Sequence, residues 1–317
     1  MREDVLQNYG LRILNAHPLP GGFLNRLWRV QTDAGPRLVK QFSPKRYTSK
    51  KLDALGAALA RQEAVRHMGV ACPQIYLCRG HTLRRPPKLP AYCVMQLCPG
   101  KNPAPEDMSA QRIKCLGLAC AGIHNAFAQL PAEDVQGFPI DTAAILPELW
   151  ENYHARLSAL TDTPPQYQAA LLAQPAILEQ LSPDFFARQP MGIAHEDFTP
   201  DNVLFDESGQ CTIIDFDRNR FSFLLHDLGR AMLSFARRDE GLELEKLSAF
   251  LNGYTRLRPL RLCDAADALR ITWCIESLWW INPESFMKPL SKATRFRDEI
   301  VWLTQNWNRL DAIFRSL

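Results

Sequence analysis

Residues 193–217 read Ile-Ala-His-Glu-Asp-Phe-Thr-Pro-Asp-Asn-Val-Leu-Phe-Asp-Glu-Ser-Gly-Gln-Cys-Thr-Ile-Ile-Asp-Phe-Asp. The polar residues follow the pattern His-x-Asp-x-x-x-x-Asn, and an Asp-Phe-Asp sequence closes the stretch. Phosphoryl transfer requires a carboxylate that orients the attacking hydroxyl, and an amide and a second carboxylate that hold magnesium on the phosphates. Asp197 is the candidate for the first role, and Asn202 and Asp215 are the candidate magnesium ligands.

Two short apolar runs, at residues 203–205 and 212–214, lie between Asn202 and Asp215. The turn residues Glu-Ser-Gly separate them, so the runs predict a β-hairpin. A hairpin brings its first and last residues to the same end, which places Asn202 and Asp215 near a common ion. Alternatively, these are ordinary turn residues, since Asp and Asn favour turns. The number of polar residues at this spacing favours a site.

The stretch resembles the catalytic segment of the aminoglycoside phosphotransferase and choline kinase group, which belongs to the protein-kinase-like superfamily. That group typically reads His-Gly-Asp-x-x-x-x-Asn, followed by Ile-Asp-Phe or Ile-Asp-Trp. Glu196 replaces the usual glycine, which leaves the three catalytic positions intact and changes the local turn. The chain has no lysine two positions after Asp197, which points away from serine/threonine protein kinases.

The resemblance implies an α+β, two-lobed, protein-kinase-like fold. Residues 1–97 are expected to form a nucleotide-binding lobe with a five-stranded antiparallel sheet and one helix. Residues 98–317 are expected to form a larger helical lobe with the catalytic loop and an acceptor pocket. The implied reaction transfers the γ-phosphoryl group of ATP, or of GTP, with Mg²⁺, to a hydroxyl of a small acceptor such as an aminoglycoside, an amino alcohol, homoserine or a sugar.

The third predicted strand carries Lys40 between apolar residues. A buried ammonium group needs a partner, and the resemblance assigns Lys40 to the α/β-phosphates of the nucleotide. The alternative is a strand lysine that extends to solvent. Glu63 lies on the predicted helix at residues 49–68 and takes the place of the glutamate that pairs with the strand lysine in the family. An exposed glutamate beside Arg66 is its alternative interpretation.

Other nucleotide contacts are assigned by the resemblance alone. Gly21, Gly22 and Asn25 match the loop that covers the phosphates, where glycine allows close backbone approach. A plain hairpin turn is the alternative for this loop. The backbone at Gln96 and Leu97 matches the hinge that hydrogen-bonds the base.

The resemblance also assigns residues around the catalytic loop. His195 is expected to support the loop without transferring a proton, and His124 to be a structural core histidine. Asp227 is expected to cap or anchor the next helix. Asp217 is either a further contact near the metal or a solvated loop carboxylate.

The residues after 225 predict helices throughout, and the resemblance places the acceptor pocket there. Four acidic residues and two adjacent tryptophans are candidates for contact with an amine-bearing acceptor, and core packing is the favoured alternative for the tryptophans. These candidates are Asp264, Asp267, Glu276, Glu284, Trp279 and Trp280.

Composition limits the class of protein. The chain has 317 residues, of which 46% are hydrophobic, and this excludes a disordered protein. Residues 1–97 carry 16 Lys and Arg against 5 Asp and Glu, whereas residues 98–317 carry 21 against 29. A basic first part suits a polyphosphate, and an acidic second part suits metal ions and a cationic acceptor. Ordinary surface charge is the alternative.

The same features bear on partners and location. The basic residues form no arm and no aromatic-interleaved motif, so no nucleic-acid partner is expected. The absence of a long apolar run predicts no membrane partner and a cytoplasmic protein. The nine cysteines include no Cys-x-x-Cys pair and are interpreted as reduced core thiols. The oligomeric state is not indicated.

Two questions stay open at this level. A metabolic kinase and an antibiotic-inactivating or sugar kinase share all of these parts. A catalytically inactive nucleotide-binding scaffold of the same fold is the alternative from another class, and intact Lys40, Asp197, Asn202 and Asp215 argue against it.

Overall fold

The structure is a computed structural model. It describes residues 1–20, 25–131, 141–239, 241–280 and 291–317, without the side chains of residues 105, 280 and 291–293. In the first hundred residues it contains a five-stranded sheet in the order β1-β2-β3-β5-β4, in which every neighbouring pair is antiparallel. The strands are β1 Ile13–Leu19, β2 Arg26–Thr32, β3 Gly35–Gln41, β4 Ile75–Tyr76 and β5 Tyr92–Gln96. The predicted sheet is therefore confirmed.

Alternation along the central strands divides the sheet into two apolar faces. Val39 and Val94 lie on one face, in a cluster that also contains Val5 of helix α1, Arg2–Tyr9. Cys93 and Met95 lie on the other face, packed against helix α2, Ser49–His67.

The prediction of a single helix beside this sheet was wrong, because α1 covers the face opposite the one that packs against α2. Its apolar pattern is weak, since Val5 is its one buried residue. The helix is held by Asp4, which accepts hydrogen bonds from Arg84 Nη2 at 2.8 Å and from the Tyr92 hydroxyl at 2.6 Å. Nothing local to residues 2–9 signals these long-range contacts.

The remainder of the described chain is mainly helical and packs around one large apolar core. The helices are α3 Ala110–Phe127, α4 Thr142–Leu157, α5 Pro165–Leu178, α6 Pro183–Ala187, α7 Leu224–Ala236, α8 Leu244–Tyr254, α9 Leu262–Trp280, α10 Ser291–Asn306 and α11 Leu310–Arg315. Helices α3 and α8 cross closely at Gly117 and Gly253, where a Cβ atom would collide with the backbone of the facing helix. None of the described helices is both long and apolar enough to cross a membrane.

Two short strand pairs interrupt the helices near residues 191–223. β7 Val203–Phe205 pairs with β8 Cys211–Ile213, which confirms the predicted hairpin with its second strand one residue earlier. β6 Met191–Ala194 pairs with β9 Arg220–Phe223, and the sequence did not predict this pair.

The prediction of helix throughout the residues after 225 was wrong at one place. β10 Arg237–Arg238 pairs with β11 Gly241–Leu242 between helices α7 and α8.

Candidate active site

The segment after β6, which begins at His195, is held by the carboxylate of Asp227. Asp227, in the first turn of α7, is fully buried and accepts hydrogen bonds from the backbone N–H groups of His195 at 2.6 Å and Glu196 at 2.8 Å. His124 on α3 contacts the same carboxylate at 3.0 Å through Nε2 and contacts the Tyr254 hydroxyl through Nδ1. His124 is thus a buried structural residue, as expected. Asp227 therefore anchors the loop that begins at His195, whereas helix α7 has no side-chain cap hydrogen bond.

Glu196 adopts a backbone conformation that is typical of glycine, and its contacts hold it there. Its φ angle is 68°, in the left-handed region that glycine adopts without cost and other residues adopt at roughly 1–2 kcal/mol. The Glu196 carboxylate is buried and forms an ion pair of 2.6 Å with Arg220 on β9. Its backbone N–H is held by Asp227. These contacts offset the unfavourable backbone conformation.

His195 lies in an apolar environment with its ring fixed by neighbours. The ring packs edge-on against Phe198 and Phe216, with centroids 5.2 Å and 4.6 Å away. Nε2 donates to the carbonyl oxygen of Ile214 at 3.2 Å, which ties the loop to the end of β8. Burial lowers the pKa of His195. A neutral, enclosed imidazole suits the supporting role that the sequence indicated.

Asp197 and Asn202 occupy the two ends of the tight loop between β6 and β7. The carbonyl oxygen of Asp197 accepts from the Asn202 side-chain amide at 2.9 Å and from the Thr199 N–H at 2.9 Å. The Ile214 N–H donates to the carbonyl oxygen of Asn202 at 2.9 Å, so the hairpin brings Asn202 beside the residue that precedes Asp215. Asp197 is partly exposed, whereas Asn202 is buried.

Lys40 joins the sheet to this segment. Its Nζ lies 2.7 Å from Asp215 Oδ1 and 2.6 Å from Asp217 Oδ2, although 175 residues separate Lys40 from Asp215 in the sequence. The Lys40 side chain is 6% exposed, as is that of Asp217, whereas the Asp215 side chain is 39% exposed. Lys40 is therefore a buried, paired lysine, which excludes the interpretation of a lysine that extends to solvent.

The three charges shift one another's pKa values. Burial alone lowers the pKa of Lys40, but Asp215 and Asp217 outweigh it and raise that pKa. Burial and the neighbouring Asp215 raise the pKa of Asp217. Burial also tends to raise the pKa of Asp215, and Lys40 more than reverses this. Asp217 is thus no solvated loop carboxylate.

The predicted pair between Lys40 and Glu63 was wrong. Glu63 lies 2.7 Å from Arg66 Nη2 and 3.1 Å from His67 Nε2, and it accepts from the Ile75 N–H at 2.8 Å. The carboxylate therefore faces the C-terminal end of α2 and the start of β4. Helical position alone did not reveal this direction, because Arg66 and His67 compete for the same carboxylate.

Helix α2 reaches the site through a different residue. Arg61 donates through Nε to Asn219 Oδ1 at 2.7 Å and through Nη2 to the Asn219 carbonyl oxygen at 2.9 Å. The Asn219 side-chain amide donates to the carbonyl oxygens of Ala58 at 2.8 Å and Phe216 at 2.7 Å. The turn that carries Asp217 is therefore fixed to α2. Neither Arg61 nor Asn219 was predicted to be a site residue.

The structure places the other predicted nucleotide contacts as follows. Gly21 and Gly22 lie outside the described residues. The Asn25 side chain accepts from the Ser43 N–H at 3.3 Å, which joins the start of β2 to the end of β3. The Gln96 N–H is already bonded to the Gln74 carbonyl oxygen at 2.9 Å, and Leu97 follows β5 with intermediate burial.

A second ionic cluster, which we call the buried ion network, lies behind the loop. It comprises Glu196, Arg220, His226, Arg230, Glu276 and Glu299. His226 lies between Glu196 at 3.4 Å and Glu276 at 3.5 Å. Arg230 contacts Glu276 at 2.6 Å and also Glu299. Burial alone lowers the pKa of His226, but the two glutamates raise it to about 9.

The predicted acceptor contacts are mostly occupied by other groups. Asp264 forms an ion pair with Arg261, and Asp267 forms one with Arg270. Glu276 belongs to the buried ion network. These pairs do not support direct contact with an acceptor.

Of the remaining acceptor candidates, the structure describes only the side chain of Trp279. Trp279 is 64% exposed. Glu284 and the side chain of Trp280 lie outside the described residues.

One protein-family model matches most of the chain. A model described as the phosphotransferase enzyme family, APH, matches residues 15–260. The match begins at the third residue of β1 and covers the rest of the sheet, residues 193–217 and helices α2 to α8.

Curated homoserine kinases are similar to the chain. The enzyme of Bradyrhizobium sp. strain ORS 278 is 29% identical over 147 residues, which are 44% of this chain and 43% of that protein. The enzyme of Beijerinckia indica is 26% identical over 77% of this chain and 72% of that protein. The enzyme of Xanthobacter autotrophicus is 26% identical over 85% of this chain and 80% of that protein. The chain thus spans less than half the length of the first relative.

Solved structures share the fold. An amicoumacin kinase in complex with AMP-PNP, Ca²⁺ and Ami has a TM-score of 0.68 at 16% identity, with 94% of this chain and 91% of that chain covered. A spectinomycin phosphotransferase in complex with ADP and spectinomycin has a TM-score of 0.64 at 15% identity, with 96% and 97% covered. A microcompartment-associated aminopropanol kinase has a TM-score of 0.63 at 18% identity, with 98% of each chain covered. The predicted α+β, kinase-like fold is confirmed.

Proposed function

Because this chain belongs to the phosphotransferase enzyme family, we propose that it is an ATP-dependent kinase that phosphorylates a hydroxyl group of a small molecule. The predicted resemblance to aminoglycoside phosphotransferases and choline kinases is confirmed by the family match and by the fold. The activity rests on the residues of the site. A catalytically inactive scaffold is not favoured, because none of the residues that carry the chemistry has been replaced.

One observation carries the proposal. Lys40 and Asp215, from opposite parts of the chain, meet at 2.7 Å. A phosphate-binding lysine and a metal-binding carboxylate serve the same triphosphate, so a kinase site brings the two side chains close together. A chain without this function gains little from burying one ammonium group against two carboxylates, since buried ion pairs are weak sources of stability.

Asp197 is the proposed catalytic residue, which accepts or orients the proton of the acceptor hydroxyl. It is partly exposed, and its backbone is fixed through Thr199 and Asn202. His195 holds the loop by its bonds to Asp227 and Ile214. A rigidly placed carboxylate supplies orientation, which is the larger part of catalysis in phosphoryl transfer.

Asn202 and Asp215 would hold Mg²⁺. The Asn202 amide nitrogen is bonded to the Asp197 carbonyl, which leaves the amide oxygen as the group for a cation. The Asp215 carboxylate is 39% exposed and carries a negative charge held by a lowered pKa. Magnesium uses one or two protein oxygen ligands together with phosphates and water, so this donor set fits it. The ion would neutralise charge on the phosphates.

The nucleotide is proposed to lie against residues 1–97, with residues 98–317 supplying catalysis and the acceptor site. Lys40 would contact the phosphates, and Gly21, Gly22 and Asn25 would form the loop above them. The Gln96 N–H is engaged by Gln74, so the hinge contact to the base would come from Leu97 and the Gln96 carbonyl. ATP is the proposed donor, with GTP as the alternative. A cytoplasmic location and the lack of a nucleic-acid partner stay predictions.

The proposed acceptor is a small hydroxylated amine. Homoserine comes first, because curated relatives that match up to 85% of this chain carry the name homoserine kinase. Amino alcohols and aminoglycosides follow, because structures with the same fold are named as an aminopropanol kinase and an aminoglycoside phosphotransferase. Sugars without an amine are the remaining alternative.

The test is a screen of purified protein with Mg²⁺ and ATP against these acceptors, with ADP release and labelled phosphate transfer as readouts. We expect transfer to one acceptor class and none in EDTA. Nucleotide binding is measured separately by calorimetry. Binding without transfer to any acceptor would support the scaffold, and no binding of ATP or GTP would refute the proposal.

A further inference from the structure

Lys40 is held by two carboxylates that differ in their surroundings. We propose that Asp217 is the positioning residue that directs Lys40 when nucleotide is bound, in the role that the sequence assigned to Glu63. This inference rests on the proposed function, because it concerns how the same site binds nucleotide. Asp217 acts through Lys40 and is not itself a catalytic residue.

Exposure separates the two carboxylates. The Asp215 side chain is 39% exposed and that of Asp217 is 6% exposed, while both lie within 2.7 Å of Lys40 Nζ. The exposed carboxylate is the one that can turn to a cation from solvent. The enclosed Asp217 carboxylate has no access to such a cation, so it keeps the ammonium in place whether or not a cation occupies Asp215.

Glu63 is committed elsewhere. Its carboxylate accepts a bifurcated hydrogen bond from Arg66 Nε and single bonds from Arg66 Nη2 and the Ile75 N–H. His67 Nε2 also lies 3.1 Å from Oε1. These contacts engage most of the roughly four lone-pair sites of a carboxylate and hold Glu63 at the end of α2, away from Lys40.

Asp217 also supplies the mechanical link that a helix glutamate would provide. It lies in the 3₁₀ turn Phe216–Arg218, which ends at Asn219. Asn219 is bonded to Ala58 and Arg61 of α2. Movement of α2 is thus passed through Asn219 and Asp217 to Lys40, so the helix controls the lysine through the catalytic segment.

The competing role for Asp217 is that of a metal ligand. The two roles differ in one measurable respect. A residue that directs Lys40 affects the binding of the phosphates with or without a divalent cation. A metal ligand affects nucleotide binding only when the cation is present.

The experiment measures the Kd of ATP by calorimetry, in Mg²⁺ and in EDTA, for the full chain and three variants. The Asp217→Asn variant removes the charge from the proposed residue, and Glu63→Gln removes it from the residue expected by resemblance. Asp53→Asn is the matched control, because Asp53 lies on α2 and its side chain is 67% exposed. Circular dichroism checks that each variant is folded.

We expect Asp217→Asn to raise the Kd about tenfold in both media, because a hydrogen bond to a charged group contributes about that factor. Glu63→Gln and Asp53→Asn should leave the Kd near that of the unmodified chain. An effect confined to Mg²⁺ would overturn the proposal in favour of a metal ligand. A loss in Glu63→Gln equal to that in Asp217→Asn would overturn it in favour of the helix glutamate.

Two further outcomes are informative. If Asp217→Asn does not fold, Asp217→Glu replaces it in the experiment. Its longer side chain displaces Lys40, so the Kd of ATP should rise in both media. An unchanged Kd would overturn the proposal. If the unmodified chain binds no nucleotide, the proposed function fails. If it binds and Asp217→Asn binds equally well, the inference alone fails.

Discussion

Two ionic clusters next to the loop between β6 and β7 differ in charge balance. At the first, Lys40 faces Asp215 and Asp217, so one cation meets two carboxylates, one of them 39% exposed. In the buried ion network, Glu196, Glu276 and Glu299 are matched by Arg220, His226 and Arg230, and Arg295 is a further cation 3.7 Å from Glu299.

The difference teaches how a ligand site is distinguished from a structural site. A cluster with an excess of negative charge and one partly exposed carboxylate can be completed by a cation. A balanced cluster with its carboxylates enclosed needs nothing from solvent. The first cluster is therefore expected to control binding and turnover, and the second to control stability and the position of the loop.

The largest expected effect tests the functional side of this comparison. Asp197→Ala should lower kcat about 1,000-fold, because a positioned proton acceptor contributes about 10²- to 10⁴-fold. The Kd of ATP should stay unchanged, since the proposed role of Asp197 is contact with the acceptor hydroxyl and not with the nucleotide. Steady-state kinetics and calorimetry measure the two quantities, with the exposed turn variant Glu207→Gln as control. Retained turnover in Asp197→Ala would remove the assigned role.

The next prediction tests the structural side. Arg230→Met leaves Glu276 and Glu299 buried without their shared cation, and breaking a buried pair costs about 3–5 kcal/mol. Chemical denaturation should show this loss in the free energy of unfolding. Arg188→Ala is the control, because its side chain is 64% exposed and its ion pair to Asp267 is long, 3.9 Å; surface pairs contribute about 0–1 kcal/mol. Equal losses in the two variants would show that the network does not stabilise the fold.

A pH series sharpens the comparison further. The pKa of His226 is raised to about 9 in the folded protein, from an unfolded value near 6.5. The stabilisation is fully present below about pH 6.5 and is lost as pH rises through 9. Stability should therefore fall over this interval by up to about 3 kcal/mol relative to His226→Gln. Denaturation at several pH values measures it, with exposed His17→Gln as control. Parallel curves for the unmodified chain and His226→Gln would show that His226 is not charged in the fold.

A local pattern predicted the hairpin, because the two apolar runs pair and bring Asn202 towards Asp215. The five-stranded sheet was predicted through the resemblance, as were the roles of Lys40 at the phosphates and of Asp215 at their metal ion. No local pattern links Lys40 with Asp215, because 175 positions separate them.

The contacts that the sequence did not predict have a common physical cause. The direction of Glu63, the anchoring by Asp227 and the bond between Arg61 and Asn219 are choices among several possible partners. Each choice is decided by tertiary packing, so a single sequence contains no periodic signal for it. Glu196 is a partial exception, because a non-glycine at this position signalled a changed turn, although not its pairing with Arg220.

The smallest expected effect tests whether α2 reaches the site through Asn219. Arg61→Ala removes two hydrogen bonds to Asn219, of 2.7 Å and 2.9 Å, and loosens the turn that carries Asp217. We expect the Kd of ATP to rise about three- to fivefold, which corresponds to the loss of about one ordinary hydrogen bond. Arg66→Ala, on the same helix, is the matched control, because Arg66 contacts Glu63 and not Asn219. If α2 instead controls the site through Glu63, Arg66→Ala should give the larger effect. The order of these two Kd values therefore decides which contact couples α2 to the cluster of Lys40, Asp215 and Asp217.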